Sequence, residues 1–126
     1  MNQRFRTIQL PLFIWIGMMI LFSSLPGNKL PEVVSFWQWD KVAHGAEYFV
    51  FTVLLFRYFV LSRHKTPAEA LRLCLLIGLM YAALDELHQL FIPKRECNIY
   101  DFAADAAGIL SGAIAAWQYY RKRFVH

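Results

Sequence analysis

The longest uncharged stretch, residues 7–28, is the feature that most limits what this chain can fold into. At 1.5 Å of rise per residue, a helix of this length crosses the roughly 30 Å hydrocarbon core of a bilayer. Three further apolar stretches follow, over residues 42–61, 71–92 and 101–120. Their apolar residues do not alternate as in a membrane β-barrel, and lipid requires each spanning segment to satisfy its own backbone hydrogen bonds. The sequence therefore predicts an integral membrane protein of the all-α class, a four-helix bundle with short loops.

The composition supports lipid as the surroundings of this bundle. Hydrophobic residues make up 58% of the chain and charged residues 17%, whereas soluble domains have about 45–50% and 25%. A chain of 126 residues has too little interior to bury so much apolar surface in water. We therefore expect one transmembrane domain over residues 1–126, with helices at approximately 7–25, 42–61, 70–91 and 101–120. Residues 22–26 form a poor cleavage site, so the first helix is expected to be an uncleaved anchor.

The distribution of lysine and arginine predicts the orientation. If both termini are cytoplasmic, nine of these residues lie inside and only four lie outside: Lys29, Lys41, Lys94 and Arg95. Positive charge is concentrated in cytoplasmic loops of membrane proteins, so we predict this N-in, C-in topology in a bacterial cytoplasmic membrane. The net charge of +4 then reflects topology and attraction to anionic lipids, and no nucleic-acid partner is expected.

Most of the unusual polar residues collect at the outer end of this predicted bundle. They lie at three helix ends and in one loop: Asp40, Lys41, His44 and Glu47; Asp85, Glu86, His88 and Gln89; Arg95; Asp101 and Asp105. Ionisable groups in spanning segments are costly, face the bundle interior and usually have a function. Spacings of three and four residues place most members of each group on one helix face. Gly108 and Gly112 continue the stripe of Asp101 and Asp105 as a GxxxG motif, which allows another helix to approach closely.

Several kinds of chemistry fit this cluster. A metal site would use one histidine and one carboxylate from each of two helices, namely His44, Glu47, Asp85 and His88. An acid–base site would use His44 or His88 beside Asp85 and Glu86. A binding site would hold a phosphate or carboxylate with Arg95 and Lys41, with Asp40, Gln89, Asp101 and Asp105 around it. The structural alternative is a buried ion-pair network that only fixes the helix packing. No cofactor is required by the sequence, and a divalent metal remains an open alternative.

The order of these residues resembles that of the VanZ-like family of small polytopic membrane proteins. The matching pieces are DKVAH at residues 40–44, DELHQLFIPKR at 85–95 and DFAADAAG at 101–108. The family usually has glycine where Lys94 lies and often asparagine where Asp105 lies. Its name-giving member is associated with low-level resistance to the glycopeptide teicoplanin. The resemblance therefore implies a cell-envelope protein that contributes to glycopeptide resistance.

Three functions follow as hypotheses. The first is an envelope protein whose outer polar site binds or modifies a lipid-linked cell-wall intermediate or a glycopeptide-type ligand, and whether it is an enzyme stays open. The second is a non-enzymatic helper subunit that packs against a partner membrane protein or forms a homo-oligomer. The third is a small oligomeric transporter. Membrane lipids are expected partners in every case. Cys74 and Cys97 are predicted at different depths, so both are expected to be free thiols.

Overall fold

A computed structural model describes residues 2–27 and 37–124, without the side chains of residues 37–39. A π-helical segment, Phe5–Gln9, continues directly into α1 (Leu10–Ser24), and three longer helices follow: α2 (Trp37–Leu61), α3 (Pro67–Gln89) and α4 (Ile99–Phe124). Throughout the two described ranges the chain forms helices and turns and no strand. The prediction of an all-α, four-helix fold is confirmed. Lys29, which the predicted topology places outside, lies beyond the described residues.

Three of these helices are long and apolar enough to cross a bilayer. They are Phe5–Ser24, Asp40–Leu61 and Ile99–Phe124, so the chain is a membrane protein. Helix α3 has 23 residues and is therefore about 34 Å long, but it carries charged residues near both ends. The crossing by α3, on which the N-in, C-in topology depends, stays a prediction.

The helix bounds differ from the predicted spans at several ends. Helix α2 begins at Trp37, ahead of the predicted residue 42, and α4 continues to Phe124, beyond the predicted residue 120. Apolar residues mark only the part of a helix that lies in hydrocarbon, whereas polar residues such as Asp40 and Arg123 can extend it into water. Helix α3 begins at Pro67, three residues ahead of the predicted residue 70, and proline is favoured in the first turn of a helix. Thr66 caps this end, since its hydroxyl accepts from the Glu69 N–H at 3.2 Å while a Glu69 oxygen accepts from the Thr66 N–H at 2.9 Å.

The closest helix contact joins α2 to α4 through the GxxxG motif. A Cβ atom added at Gly108 would overlap the Gly45 carbonyl, and one added at Gly112 would lie 2.8 Å from the Phe49 carbonyl oxygen. Both neighbours are backbone atoms, so these two glycines allow the helices to touch backbone to backbone. The predicted close approach is confirmed, and it aligns the polar ends of α2 and α4.

Helix α1 packs more loosely than the other helices. Trp15 donates a hydrogen bond to the Glu47 carbonyl at 3.0 Å, and Leu12 and Met19 are buried in the common core. The other faces of α1 remain exposed, which in a bilayer means exposure to lipid. Both cysteines are free as predicted, with Cys74 buried and Cys97 exposed.

Candidate functional site

His44 and Asp105 form the centre of the polar cluster, where α2 meets α4. The Nδ1 atom of His44 lies 2.8 Å from the Asp105 Oδ1 atom, and its Nε2 atom lies 3.7 Å from the Asp40 Oδ1 atom. Asp105 is 0% exposed. Because a carboxylate faces each ring nitrogen, the imidazole can donate from either side. This geometry allows His44 to hold a proton or pass it between Asp40 and Asp105.

Lys41 is neutralised by carboxylates on two helices. Its ammonium group bonds to Asp101 on α4 and lies 3.4 Å from Asp40 on its own helix. An anionic ligand would have to compete with both acids for Lys41. The predicted use of Lys41 to hold a phosphate or carboxylate therefore stays a prediction, and the geometry gives Lys41 a second role in joining α2 to α4.

The adjacent acids of α3 face different neighbours. Asp85 accepts from the Ser23 hydroxyl of α1 and, at 2.9 Å, from the Tyr48 hydroxyl of α2. Glu86 is buried and accepts from the Asn98 N–H at 3.2 Å, which ties the end of α3 to the start of α4. The rotation of about 100° per helical residue explains why one acid faces α1 and α2 while the next faces α4.

Two groups of side chains in the described part of the chain have the close spacing of metal ligands. They are Asp40, His44 and Asp101, and His44, Glu86 and Asp105. The predicted metal set of His44, Glu47, Asp85 and His88 is not brought together as one of these groups. His88 is exposed, and its Nε2 atom lies 3.2 Å from the Ser24 hydroxyl. Gln89, by contrast, is buried.

Arg95 closes the end of α1. Its guanidinium donates to the Phe22 carbonyl at 2.6 Å and to the Leu25 carbonyl at 3.1 Å. The Phe22 carbonyl also accepts from the Leu25 N–H at 3.3 Å, so Arg95 adds a second bond at the last turn of α1. The preceding Lys94 has a φ of 59°, in the left-handed region that favours glycine. The turn for which the family uses glycine is thus formed here by lysine.

A cavity of about 410 Å³ lies between α1 and the polar ends of α2 and α3. Its apolar wall comes from α1, with Trp15, Met18, Met19 and Phe22. Its polar wall carries six of the predicted or ionisable side chains: Asp40, His44, Glu47, Asp85, Gln89 and Arg95. Met18, Phe22 and Ala46 at its edge are exposed, so the cavity opens sideways between α1 and α2, toward lipid in a bilayer.

Three residues of the site were not predicted. Tyr48 lies one turn after His44, so its place on the same helix face could have been found from the sequence. Asn98 bonds through its backbone, which no side-chain pattern reveals. Ser23 lies in a helix that is apolar all round, so nothing in the sequence indicates which face of α1 turns toward α3.

The comparison with known families agrees with the motifs. No curated protein and no solved structure matches the chain. The model of the family described as VanZ/LLP1 matches residues 2–121, nearly the whole chain, and so covers α1 as well as the three motif-bearing helices. The chain therefore belongs to the VanZ-like family.

Proposed function

We propose that this protein acts in the bacterial cell envelope, where its cavity between α1 and α2 binds or modifies a lipid-linked or glycopeptide-type ligand. The two unlike walls of the cavity carry the proposal. An apolar wall of four α1 side chains faces a mixed wall, in which carboxylates, imidazole, amide and guanidinium lie beside Ala43, Ala46 and Val50. A ligand with a hydrocarbon part and a polar head group needs both surfaces.

The size and opening of the cavity suit the head of such a ligand. A volume of about 410 Å³ falls within the range of small-molecule sites, about 300–1,000 Å³. A polyprenyl or acyl chain is far larger than this cavity. It would therefore extend out of the cavity between α1 and α2 and lie in the bilayer. Exposed Met18 and Phe22 would contact its first carbons.

The polar wall favours a sugar or peptide head group. Asp40, Glu47 and Asp85 offer carboxylate oxygens, which accept hydrogen bonds from hydroxyl, amide or ammonium groups. Arg95 uses some of its five N–H groups on the carbonyls of α1, and those that remain could hold a phosphate or carboxylate of the ligand. Contribution to glycopeptide resistance would follow if the ligand is a cell-wall intermediate.

If the protein modifies its ligand, His44 and Asp85 are the candidate acid–base groups. Both line the cavity, and His44 has carboxylates at both ring nitrogens. The other two residues of the predicted catalytic set are not part of the cavity lining, since Glu86 faces α4 and His88 faces Ser24. Their roles would be indirect.

Filling the cavity is expected to block binding. Ala46→Trp places a large ring at the exposed edge of the cavity, and we expect it to reduce photolabelling by a polyprenyl-pyrophosphate-linked sugar by at least about tenfold, or 1.4 kcal/mol of affinity. The matched control is Ala83→Trp, at an exposed alanine of α3 that is not part of the cavity lining, which should be labelled like the wild type. Competition by an unlabelled teicoplanin-type glycopeptide shows whether that ligand shares the site. Equal labelling of the two tryptophan variants would contradict the proposal.

The helper-subunit function is the second candidate. It is favoured by the complete burial of Asp105 and by the ion pairs that join α2 to α4, because such a network can serve packing alone. In that case the cavity variant would bind as the wild type does, while loss of network residues would lower the abundance of the protein and of its membrane partner.

A further inference from the structure

Two carboxylates at the polar end of the bundle are buried but only partly bonded. Glu86 is 4% exposed and Asp105 is 0% exposed. Among the atoms that the structure describes, the Glu86 Oε1 and Asp105 Oδ2 atoms have no hydrogen-bond partner. Buried polar atoms nearly always have one, and leaving one unsatisfied costs about 1–3 kcal/mol. A positively charged ligand bound between the two carboxylates would compensate their buried charge.

The third member of this group is His44. One ligand atom from each of His44, Glu86 and Asp105 lies within 4.8 Å of the others, and all three side chains are buried. Ligand atoms in tetrahedral coordination at about 2.1 Å from one ion lie about 3.4 Å apart. Starting from mutual distances of up to 4.8 Å, the three ligand atoms would therefore move closer together to bind one ion.

We propose that His44, Glu86 and Asp105 form a binding site for a divalent transition-metal ion such as Zn²⁺ or Mn²⁺. Two carboxylates, a neutral imidazole and a divalent ion have no net charge, which removes the cost of two buried anions. Imidazole and carboxylate together suit these ions. Three protein ligands also leave a coordination position open, and of the three His44 alone lines the cavity.

The surroundings favour this group over the other one, Asp40, His44 and Asp101. In that second group the Lys41 ammonium already bonds to Asp101 and lies near Asp40, so half of its negative charge is already compensated. A residue outside the group also holds the Glu86 side chain in position, since one Glu86 oxygen accepts a hydrogen bond from the Asn98 N–H. Such a bond holds a metal ligand in position.

Metal binding can be measured without any lipid ligand, so this inference does not rest on the proposed function. The full-length protein is purified in detergent, stripped with a chelator and titrated separately with Zn²⁺ and Mn²⁺, and the retained metal is measured by elemental mass spectrometry. We expect one equivalent of one of these ions. Asp105→Asn and Glu86→Gln should weaken binding by more than the roughly 10–100-fold loss caused by removing a group that only orients a ligand.

Asp101→Asn is the matched control, because it makes the same change one turn earlier on α4 and should retain the metal. A second readout is the melting temperature, which the ion should raise in the wild type and in the control but not in the Asp105 variant. If Asp105→Asn does not fold, the metal content and the melting temperature of Glu86→Gln test the proposal in its place. The proposal is wrong if the wild type retains neither ion, or if the Asp101 variant loses the metal while the Asp105 variant keeps it.

Discussion

Gly108→Ala is expected to lower the free energy of unfolding by about 3 kcal/mol, at the upper end of the usual cost of overpacking. The added methyl group would overlap the Gly45 carbonyl and press on the Phe49 N–H. Both are backbone atoms, so no side chain can rotate away, and α2 and α4 must separate. Denaturant unfolding in detergent measures the loss, and the amount of protein in membranes should fall with it.

Gly17→Ala is the control for this prediction, because a Cβ atom at that position of α1 meets nothing within 4 Å. Alanine forms helix better than glycine by about 0.8–1 kcal/mol, so this variant should be unchanged or slightly more stable. Similar losses in the two variants would mean that α2 and α4 are not in backbone contact.

His44→Ala is expected to have the second large effect, a loss of about 3 kcal/mol in the free energy of unfolding, at the upper end of the cost of leaving a buried group without its hydrogen-bond partner. Without the imidazole, the Asp105 carboxylate loses its 2.8 Å partner and stays buried. Removing Asp105 as well should then cost much less than the sum of the two single changes. A double-mutant cycle with Asp105→Ala should show a coupling energy of about 2–3 kcal/mol.

The exposed pair Lys65 and Glu69 provides the comparison. Their charged atoms are 3.8 Å apart and their side chains are 44% and 49% exposed, so a cycle of alanine variants there should give no more than about 0.5 kcal/mol. An equally small value for His44 and Asp105 would contradict the packing role of their contact. Ligand binding per amount of folded His44→Ala protein separates the two functions: a loss of binding favours the ligand site, and unchanged binding favours the helper-subunit hypothesis.

Much of the fold could be predicted because a bilayer permits few structures. The uncharged residues 7–28 and the later apolar stretches predicted four helices, and the polar residues at three helix ends and in one loop predicted the polar end. The GxxxG motif predicted the contact of α4 with another helix. Where each helix ends in water could not be predicted, since Trp37 and Phe124 lie beyond the apolar stretches.

The pairing within the site was harder to predict than its location. Spacing separated Asp85 from Glu86 on two faces of α3, but it does not say which neighbouring helix each face meets. The predicted metal set assumed that His44 and His88 face each other, whereas the structure places His44 against Asp105 and His88 against Ser24. Such contacts depend on how each helix is rotated about its own axis. Helix α1 is apolar on every face, so its sequence does not indicate this rotation.

Labelling of Cys97 tests most directly whether the polar end of the bundle faces the outside of the cell. Cys97 is exposed and directly precedes Asn98, whose N–H bonds to Glu86 at the polar end. Cys74 is buried, so the natural protein carries one accessible thiol. The control is His64→Cys in a Cys97→Ser background, at an exposed position between α2 and α3. In spheroplasts, a membrane-impermeant maleimide should label Cys97, and it should label the control only after permeabilisation. The reverse pattern would place the polar end in the cytoplasm and contradict an extracytoplasmic ligand site.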